Sequence, residues 1–535
     1  MKKEKNADKT LVTSRIHYKH PHLHISEDPQ DIAVVLVVLA MTLYYIWRMF
    51  YITPSYEELH DYFFFISKGP LYTITNWSLE GNHIGYNFLA SLLNEAGIPK
   101  YIVMRGISCV AASSNLILLY RLSKRYFTHW IPFATIVTYS GFELVNILNI
   151  QGRGYTISVT LFLLSIYMLG RLTLTESFSN IQYIFLVSIF ISALYIHLWN
   201  INWIIPMCLS VFLYLLINGL RTRKVSGTVK NNIYLLQLFN ILICEIVAFL
   251  VAAILYIINI LGSGAGSLST DNRFAGLSRL EIVSKDPVRA FLEGLRILKE
   301  PFGMIEPEGN TYIVRWYHFI YEFSEGFAPG FAHILMVICF VSIFVMIAGC
   351  VMFFEESRTC IRLIILGQLF WMPFVLTFCK KVPSYESYMF MGVIMAMAVS
   401  FVVNNFIITI KSLDFSPVTY GLPVIMAVVY FFIGVFGKTF FAPYNKGIDE
   451  TYQALIAIDP TSYNNPQVTD IIQKYLMEFL YDCDSRMVDS LEKAKDADYL
   501  LIQRQTYEDA SASLLDNLKG MHRAYENGSY IIFTK

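Results

Sequence analysis

Charge is scarce in this sequence. Only 15% of its 535 residues are Asp, Glu, Lys or Arg, where an ordinary soluble domain carries about 25%. Neither sign is in excess, with 41 basic residues against 41 acidic ones. A chain without net positive charge lacks the electrostatic footprint of a nucleic-acid partner. Cysteine is sparse too. The 8 Cys form no C-x-x-C pair, so the spacing of a zinc or redox site is missing. Six of them (Cys109, Cys208, Cys244, Cys339, Cys350, Cys360) lie in or beside apolar runs, where Cys packs as a small apolar residue. Cys379 and Cys483 fall where an exoplasmic disulfide could form, and nothing in the spacing demands one. There is no long internal repeat and no low-complexity tract. A cleavable signal peptide is not expected, because the polar start is too long and acidic and the first apolar run is long enough to span.

Apolar and aromatic residues fill the space that charge leaves. The hydrophobic set makes up 55% of the chain, with 40 Phe and 35 Tyr. Aromatic residues suit lipid-facing helices and the two membrane–water belts. A spanning helix needs about 20 mainly apolar residues. Such runs recur at 32–51, 101–121, 130–150, 155–171, 181–197, 202–219, 233–262, 331–354, 360–379, 387–410 and 418–438. The expected fold class is therefore an all-α polytopic membrane protein of about 11 transmembrane helices. Basic residues sort by position. Lys2, Lys3, Lys5, Lys9, Arg15 and Lys19 precede the first run, and Arg121, Lys124, Arg125, Arg171, Arg221, Arg223 and Lys224 fall on the same side. The positive-inside rule then puts the N-terminus in the cytoplasm and, for an odd helix number, the C-terminus outside. The expected division is a cytoplasmic basic tail (1–30), a transmembrane domain (31–438) with outer loops at 52–100 and 263–330, and an exoplasmic α/β unit (439–535). In that unit Asp470–Tyr481 has helical spacing, Tyr499–Ile502 and Tyr530–Phe533 read as strands, and two more helical stretches lie between them.

The outer face collects the unusual residues. The first outer loop opens on Ser55-Tyr56-Glu57-Glu58-Leu59-His60-Asp61, followed by a Phe run. On a helix Glu57 and Asp61 share a face, and the Phe run suits an interfacial helix. A carboxylate held there could be a general base, or the segment could be a solvated acidic helix start. His83 opens a second interfacial stretch through Tyr86, as a ligand-binding or a structural residue. Arg105, near the outer end of its helix, expects an acidic partner from the first loop, or it snorkels. Gln151-Gly152-Arg153-Gly154-Tyr155 is a short turn whose glycines permit close approach and whose Arg suits phosphate, or it is a tight turn with an exposed Arg. Lys380 and Lys381 break the charge rule on the outer face. A lipid-phosphate contact would explain them, and so would an ordinary loop. Glu143 and Glu245 fall inside helices, as functional carboxylates or neutral packing groups. His17, His20, His22 and His24 suit a polar tail better than a metal site.

These residues, in this order, resemble the GT-C superfamily of integral membrane glycosyltransferases, in the branch of protein O-mannosyltransferases and aminoarabinose (lipid A) transferases. The family's Asp-Glu pair corresponds to Glu57-Glu58. Its His-Pro-Pro-aliphatic-Tyr-Tyr stretch corresponds to His83-Ile84-Gly85-Tyr86-Asn87-Phe88. Its second-helix Arg and basic cluster correspond to Arg105 and to Arg121–Arg125. Its Gln-x-Arg-x-Tyr turn corresponds to Gln151–Tyr155. The match covers residues 30–175. Two departures stand out: Glu57 replaces an Asp, and Ile84-Gly85 replaces the Pro pair.

The resemblance implies a polyprenyl-phosphate-linked sugar as donor, membrane lipid as surroundings, and inverting transfer to a glycan, lipid or protein acceptor on the exoplasmic face of a plasma membrane. It implies Glu57 as base, with Asp61 and Glu58 as substitutes, and Arg153, Tyr155, Lys380 and Lys381 at the donor phosphate. His83, Tyr86 and Arg105 would shape or bind. Some relatives use a divalent metal ion at the acidic pair, here Glu57 and Glu58. The loop at 263–330 would cover the donor cavity. The competing expectations are a transporter or lipid flippase, and a non-catalytic envelope-assembly protein.

Overall fold

The structure, a computed structural model, describes residues 28–76, 83–174, 179–226, 232–299, 312–352, 358–378, 384–411, 416–488, 494, 496–510, 518 and 520–535. It is an integral membrane protein of α-helices with a small C-terminal β-sheet unit. Lys380, Lys381, Cys379 and the N-terminal histidines lie outside the described residues.

Helix α1 (Pro29–Tyr51) starts where Asp28 caps it and Pro29 presets its first turn. The segment after it carries three short helices, α2 (Tyr56–Phe64), α3 (Pro70–Thr75) and α4 (Ile84–Glu95). The membrane body continues with α5 (Lys100–Tyr126), α6 (Ile131–Gly141), α7 (Glu143–Leu148), α8 (Tyr155–Leu174), α9 (Asn180–Ile196), α10 (Ile201–Ser226) and α11 (Ile233–Leu268). Next come α12 (Arg279–Lys285), α13 (Pro287–Lys299) and α14 (Tyr312–Phe327), then α15 (Ala332–Met352), α16 (Arg358–Phe378), α17 (Met391–Lys411) and α18 (Ser416–Gly434). Among the described residues, 8 helices are long and apolar enough to cross a membrane: α1, α5, α8, α10, α11, α15, α16 and α18. Helix α9, at 17 residues, is apolar but shorter, and α17 is apolar over Met391–Ile407.

The expected span at 130–150 is not one helix. Phe142 is extended between α6 and α7, and the Asn146 amide donates to the carbonyls of Ser140 (2.6 Å) and Phe142 (3.0 Å). That side chain satisfies the groups freed by the break. Within the 263–330 segment the described residues are largely helical. Helix α11 runs 36 residues, about 54 Å, so it outreaches a hydrocarbon core of about 30 Å. Helices α12 and α13 pack on it, and α14 packs beside α7 and α16.

The C-terminal unit follows a π-turn at Val435–Thr439. It holds α19 (Lys446–Ala457), β1 (Pro466–Val468), α20 (Ile471–Tyr481), β2 (Arg486–Met487), β3 (Tyr499–Gln503), α21 (Arg504–Glu508), β4 (His522–Glu526) and β5 (Tyr530–Thr534). The sheet order is β2-β1-β3-β5-β4. Strand β1 is parallel to β2 and β3, and β5 is antiparallel to β3 and β4, with Leu501 opposite Ile532. Helix α20 turns its aromatic side to α2. Tyr475 stacks on Phe63 (5.3 Å), and Phe479 meets Tyr62 (5.6 Å) and Tyr101 (5.1 Å) edge-on. The sheet unit thus rests on the helix that carries the acidic residues.

Candidate functional site

Ser55 and Glu58 start the site. Ser55 caps α2, and Glu58 three residues on returns its carboxylate to the Ser55 amide at 2.8 Å. This capping box aims Glu58 inward rather than at solvent. Arg105 meets it with Nε on Oε1 and Nη2 on Oε2, each at 2.7 Å. Gly152 donates its amide to the same Oε1 at 2.6 Å. Four N–H groups therefore fill the carboxylate. The rest of Arg105 donates to the carbonyls of Met49 (2.8 Å), Ile52 (2.6 Å) and Thr53 (3.3 Å). A cation there also suits the C-terminal end of α1. Neither side chain of the pair is exposed. The Glu58–Arg105 pair pins the end of α1, the start of α2 and the 151–154 turn together.

Gly152 is required by space. A Cβ there would stand 2.6 Å from the Met104 carbonyl oxygen. Tyr86 is part of the same scaffold: its buried hydroxyl donates to the Met104 carbonyl and accepts from Ser108. Burial pushes the Tyr86 phenol well above its ordinary value, so it stays neutral.

Asp61 lies one turn beyond Glu58 and in a different setting. It is buried, yet its Oδ2 has no hydrogen-bond partner. Arg153 Nε stands 3.9 Å from that oxygen, and His60 Nδ1 is 3.6 Å from Oδ1. Glu57 is exposed on the same helix, and its charge bears on Arg153. Arg153 lies over the Tyr155 ring at 5.4 Å. Glu386, in the turn Tyr385–Tyr388, also acts on Arg153. That turn is tied to α14 by the Tyr385 hydroxyl, which donates to Glu322 at 2.5 Å. Thus Glu57, Asp61, Arg153 and Tyr155 gather at one end of the bundle, while Glu58, Arg105 and Tyr86 build the frame beneath.

His83 joins the gathering from the start of α4. Its ring stacks on His197 at 4.3 Å and 24°, and meets Tyr155 edge-on at 4.6 Å. Burial first, then the nearness of His197 and Arg153, pushes the His83 imidazole well below its ordinary range. His197, in the turn between α9 and α10, is pushed down to about 3, by burial first and then by Arg153. Both shifts favour the neutral rings.

Sequence reasoning did not single out His197, Glu386 or Arg48. The only sign of His197 was the polar break His197–Asn202 between two apolar runs. Arg48 is fully buried in α1 and donates to the carbonyls of Thr439 (2.6 Å) and Ala442 (3.1 Å), so it secures the link to the sheet unit. The role of Glu58 was signalled by Ser55-x-x-Glu58, a capping-box spacing. Glu58 does not fit a metal ligand, because its four acceptor positions are taken by N–H donors. Among the described residues no group of three His, Cys, Asp or Glu could hold a cation.

No family model matches the chain, and no curated protein matches it. Among solved structures, the chain is similar to the archaeal oligosaccharyltransferase AglB from Archaeoglobus fulgidus, in complex with an inhibitory peptide and a dolichol-phosphate. That overlay has a TM-score of 0.44 and 10% identity, over 89% of this chain and 70% of that one. It is also similar to ArnT from Cupriavidus metallidurans bound to undecaprenyl phosphate, with a TM-score of 0.37 and 10% identity, over 95% and 98% of the two chains. These are loose overlays, and the site stands on its own geometry.

Proposed function

We propose that this protein is a GT-C-type glycosyltransferase that moves a sugar from a polyprenyl-phosphate-linked donor to an acceptor on the exoplasmic face. One observation carries the reading: the buried Asp61 Oδ2, free of hydrogen bonds, faces Arg153 at 3.9 Å at one end of a membrane helix bundle. A transferase with a lipid-linked donor needs a base and a phosphate-binding cation side by side at the membrane surface. The donor class rests on the ordered motifs of residues 30–175.

In this reaction an acceptor hydroxyl or amine gives its proton to Asp61 as it attacks the anomeric carbon. The sugar–phosphate bond breaks, and the polyprenyl phosphate leaves with the bonding electrons. Arg153 stabilises the charge that grows on that phosphate, and Lys380 or Lys381 adds to it. Inversion at the anomeric carbon follows from a single displacement. Glu57, exposed on the same face as Asp61, steers the acceptor. Glu58 and Arg105 hold the frame. The turn carrying Glu386, braced by α14, closes the donor's side.

The test uses purified protein in detergent with undecaprenyl-phosphate glucose, mannose and galactose. Release of undecaprenyl phosphate that depends on Asp61 supports the reading. Absence of release from every donor, with a cell extract as acceptor source, contradicts it.

A further inference from the structure

His83 and His197 form a site that the proposed chemistry leaves unused. Both are buried, at 0% and 2% exposure. Neither nitrogen of His83 has a hydrogen-bond partner, nor does Nε2 of His197. An unmade bond on a buried polar atom costs about 1–3 kcal/mol, so these nitrogens call for a partner that the protein's own groups do not supply. The pair packs closely on Gly154, where only a glycine fits. A Cβ on Gly154 would stand 2.9 Å from His83 Nδ1 and 2.7 Å from Ile196 Cγ2.

The chemistry of the rings selects the ligand. A neutral imidazole offers one N–H donor and one bare acceptor nitrogen. A phosphodiester only accepts, so it would leave the bare nitrogen unpaired. An ammonium only donates, and Arg153 beside the pair would repel it. A hydroxyl both donates and accepts. Protonated rings would present donors alone, and burial beside Arg153 opposes that form. Tyr155 carries Arg153 over its ring at 5.4 Å and meets both His83 (4.6 Å) and His197 (5.5 Å) in T-shaped contacts. One ring thus adjoins both the cation and the imidazoles, as the phosphate of a sugar phosphate adjoins the hydroxyls of the sugar it carries.

We infer that His83 and His197 bind the hydroxyl groups of the donor's sugar, so that the site selects a neutral hydroxylated headgroup. This rests on the donor reading above. His197 is then a specificity residue, and Arg153 holds the phosphate independently of it.

The experiment compares binding of undecaprenyl-phosphate glucose, mannose and galactose with binding of undecaprenyl phosphate, which has no sugar. Wild type, His197→Phe and His197→Asn are measured at equal melting temperature or with the unfolded fraction subtracted. The expected result is that His197→Phe weakens the preferred sugar-bearing lipid about tenfold and leaves undecaprenyl phosphate unchanged. His197→Asn, which keeps a donor and an acceptor, loses less. Equal loss for both lipids, or no loss for either, overturns the inference while leaving the donor reading intact. A wild type that binds neither lipid overturns both.

Discussion

Arg105 and Glu58 meet through two hydrogen bonds of 2.7 Å with neither side chain exposed. This pair decides which of three neighbouring carboxylates is free for chemistry. Glu58 is spent on the frame, and Asp61 is not. Removing one partner of a buried ion pair leaves an uncompensated charge, at a cost of about 3–5 kcal/mol. Glu58→Gln and Arg105→Met are therefore expected to lower the melting temperature and the yield in detergent. A Glu58→Gln variant that melts like wild type would show that the pair is not the frame.

Asp61→Asn is expected to fold like wild type and to lose about 10²–10⁴ in turnover. Glu57→Gln, at the exposed position, is expected to lose less than Asp61→Asn and mainly through the acceptor's KM. Steady-state kinetics with fixed donor and varied acceptor read both. The reverse ranking would return the base to Glu57.

Much of the body was legible in the sequence, because hydropathy reports membrane helices directly. The helix at Ile471–Tyr481 and the strands β3 and β5 were legible from their spacing as well. The two further helical stretches expected between β3 and β5 reduce to α21 among the described residues, and residues 511–517 lie outside them. The break at Phe142 was hidden, since it depends on the Asn146 side chain and not on hydropathy. The separate fates of Glu57, Glu58 and Asp61 were hidden for a different reason. They are chemically alike, and only the long-range partners Arg105, Gly152 and Arg153 distinguish them. The stacking of His197 on His83, more than a hundred positions earlier, had no local signal at all.

Gly152→Ala tests the frame from its other side. The new methyl group would press on the Met104 carbonyl at 2.6 Å and on Glu58 Oε1 at 3.1 Å. Overpacking of this kind costs about 1–3 kcal/mol. The expected result is a lower melting temperature together with lost activity, because Arg153 adjoins the displaced residue. Unchanged stability and turnover would mean that the turn is free to move.

The two imidazoles make stability depend on pH. Their folded-state values lie below the unfolded value of about 6.5, at about 3 for His197 and well down for His83. Above pH 6.5 both rings are neutral folded or unfolded, and they add no pH dependence. Below it the unfolded chain binds protons that the folded one refuses. Stability therefore falls as pH drops below about 6.5, over a window that reaches toward 3 for His197. Melting curves at pH 7.5, 5.5 and 4.5 check this. His197→Phe should make the acid-side slope shallower, and an unchanged slope would contradict the buried neutral pair.

The central claim is sugar transfer by this site, and mass spectrometry of lipids and envelope glycans tests it most directly. Cells carrying wild type, a deletion, and Asp61→Asn at equal expression are compared. The account predicts that one sugar modification disappears in both the deletion and Asp61→Asn. An unchanged glycan profile in both would contradict transferase activity and favour a transport function for the helix bundle.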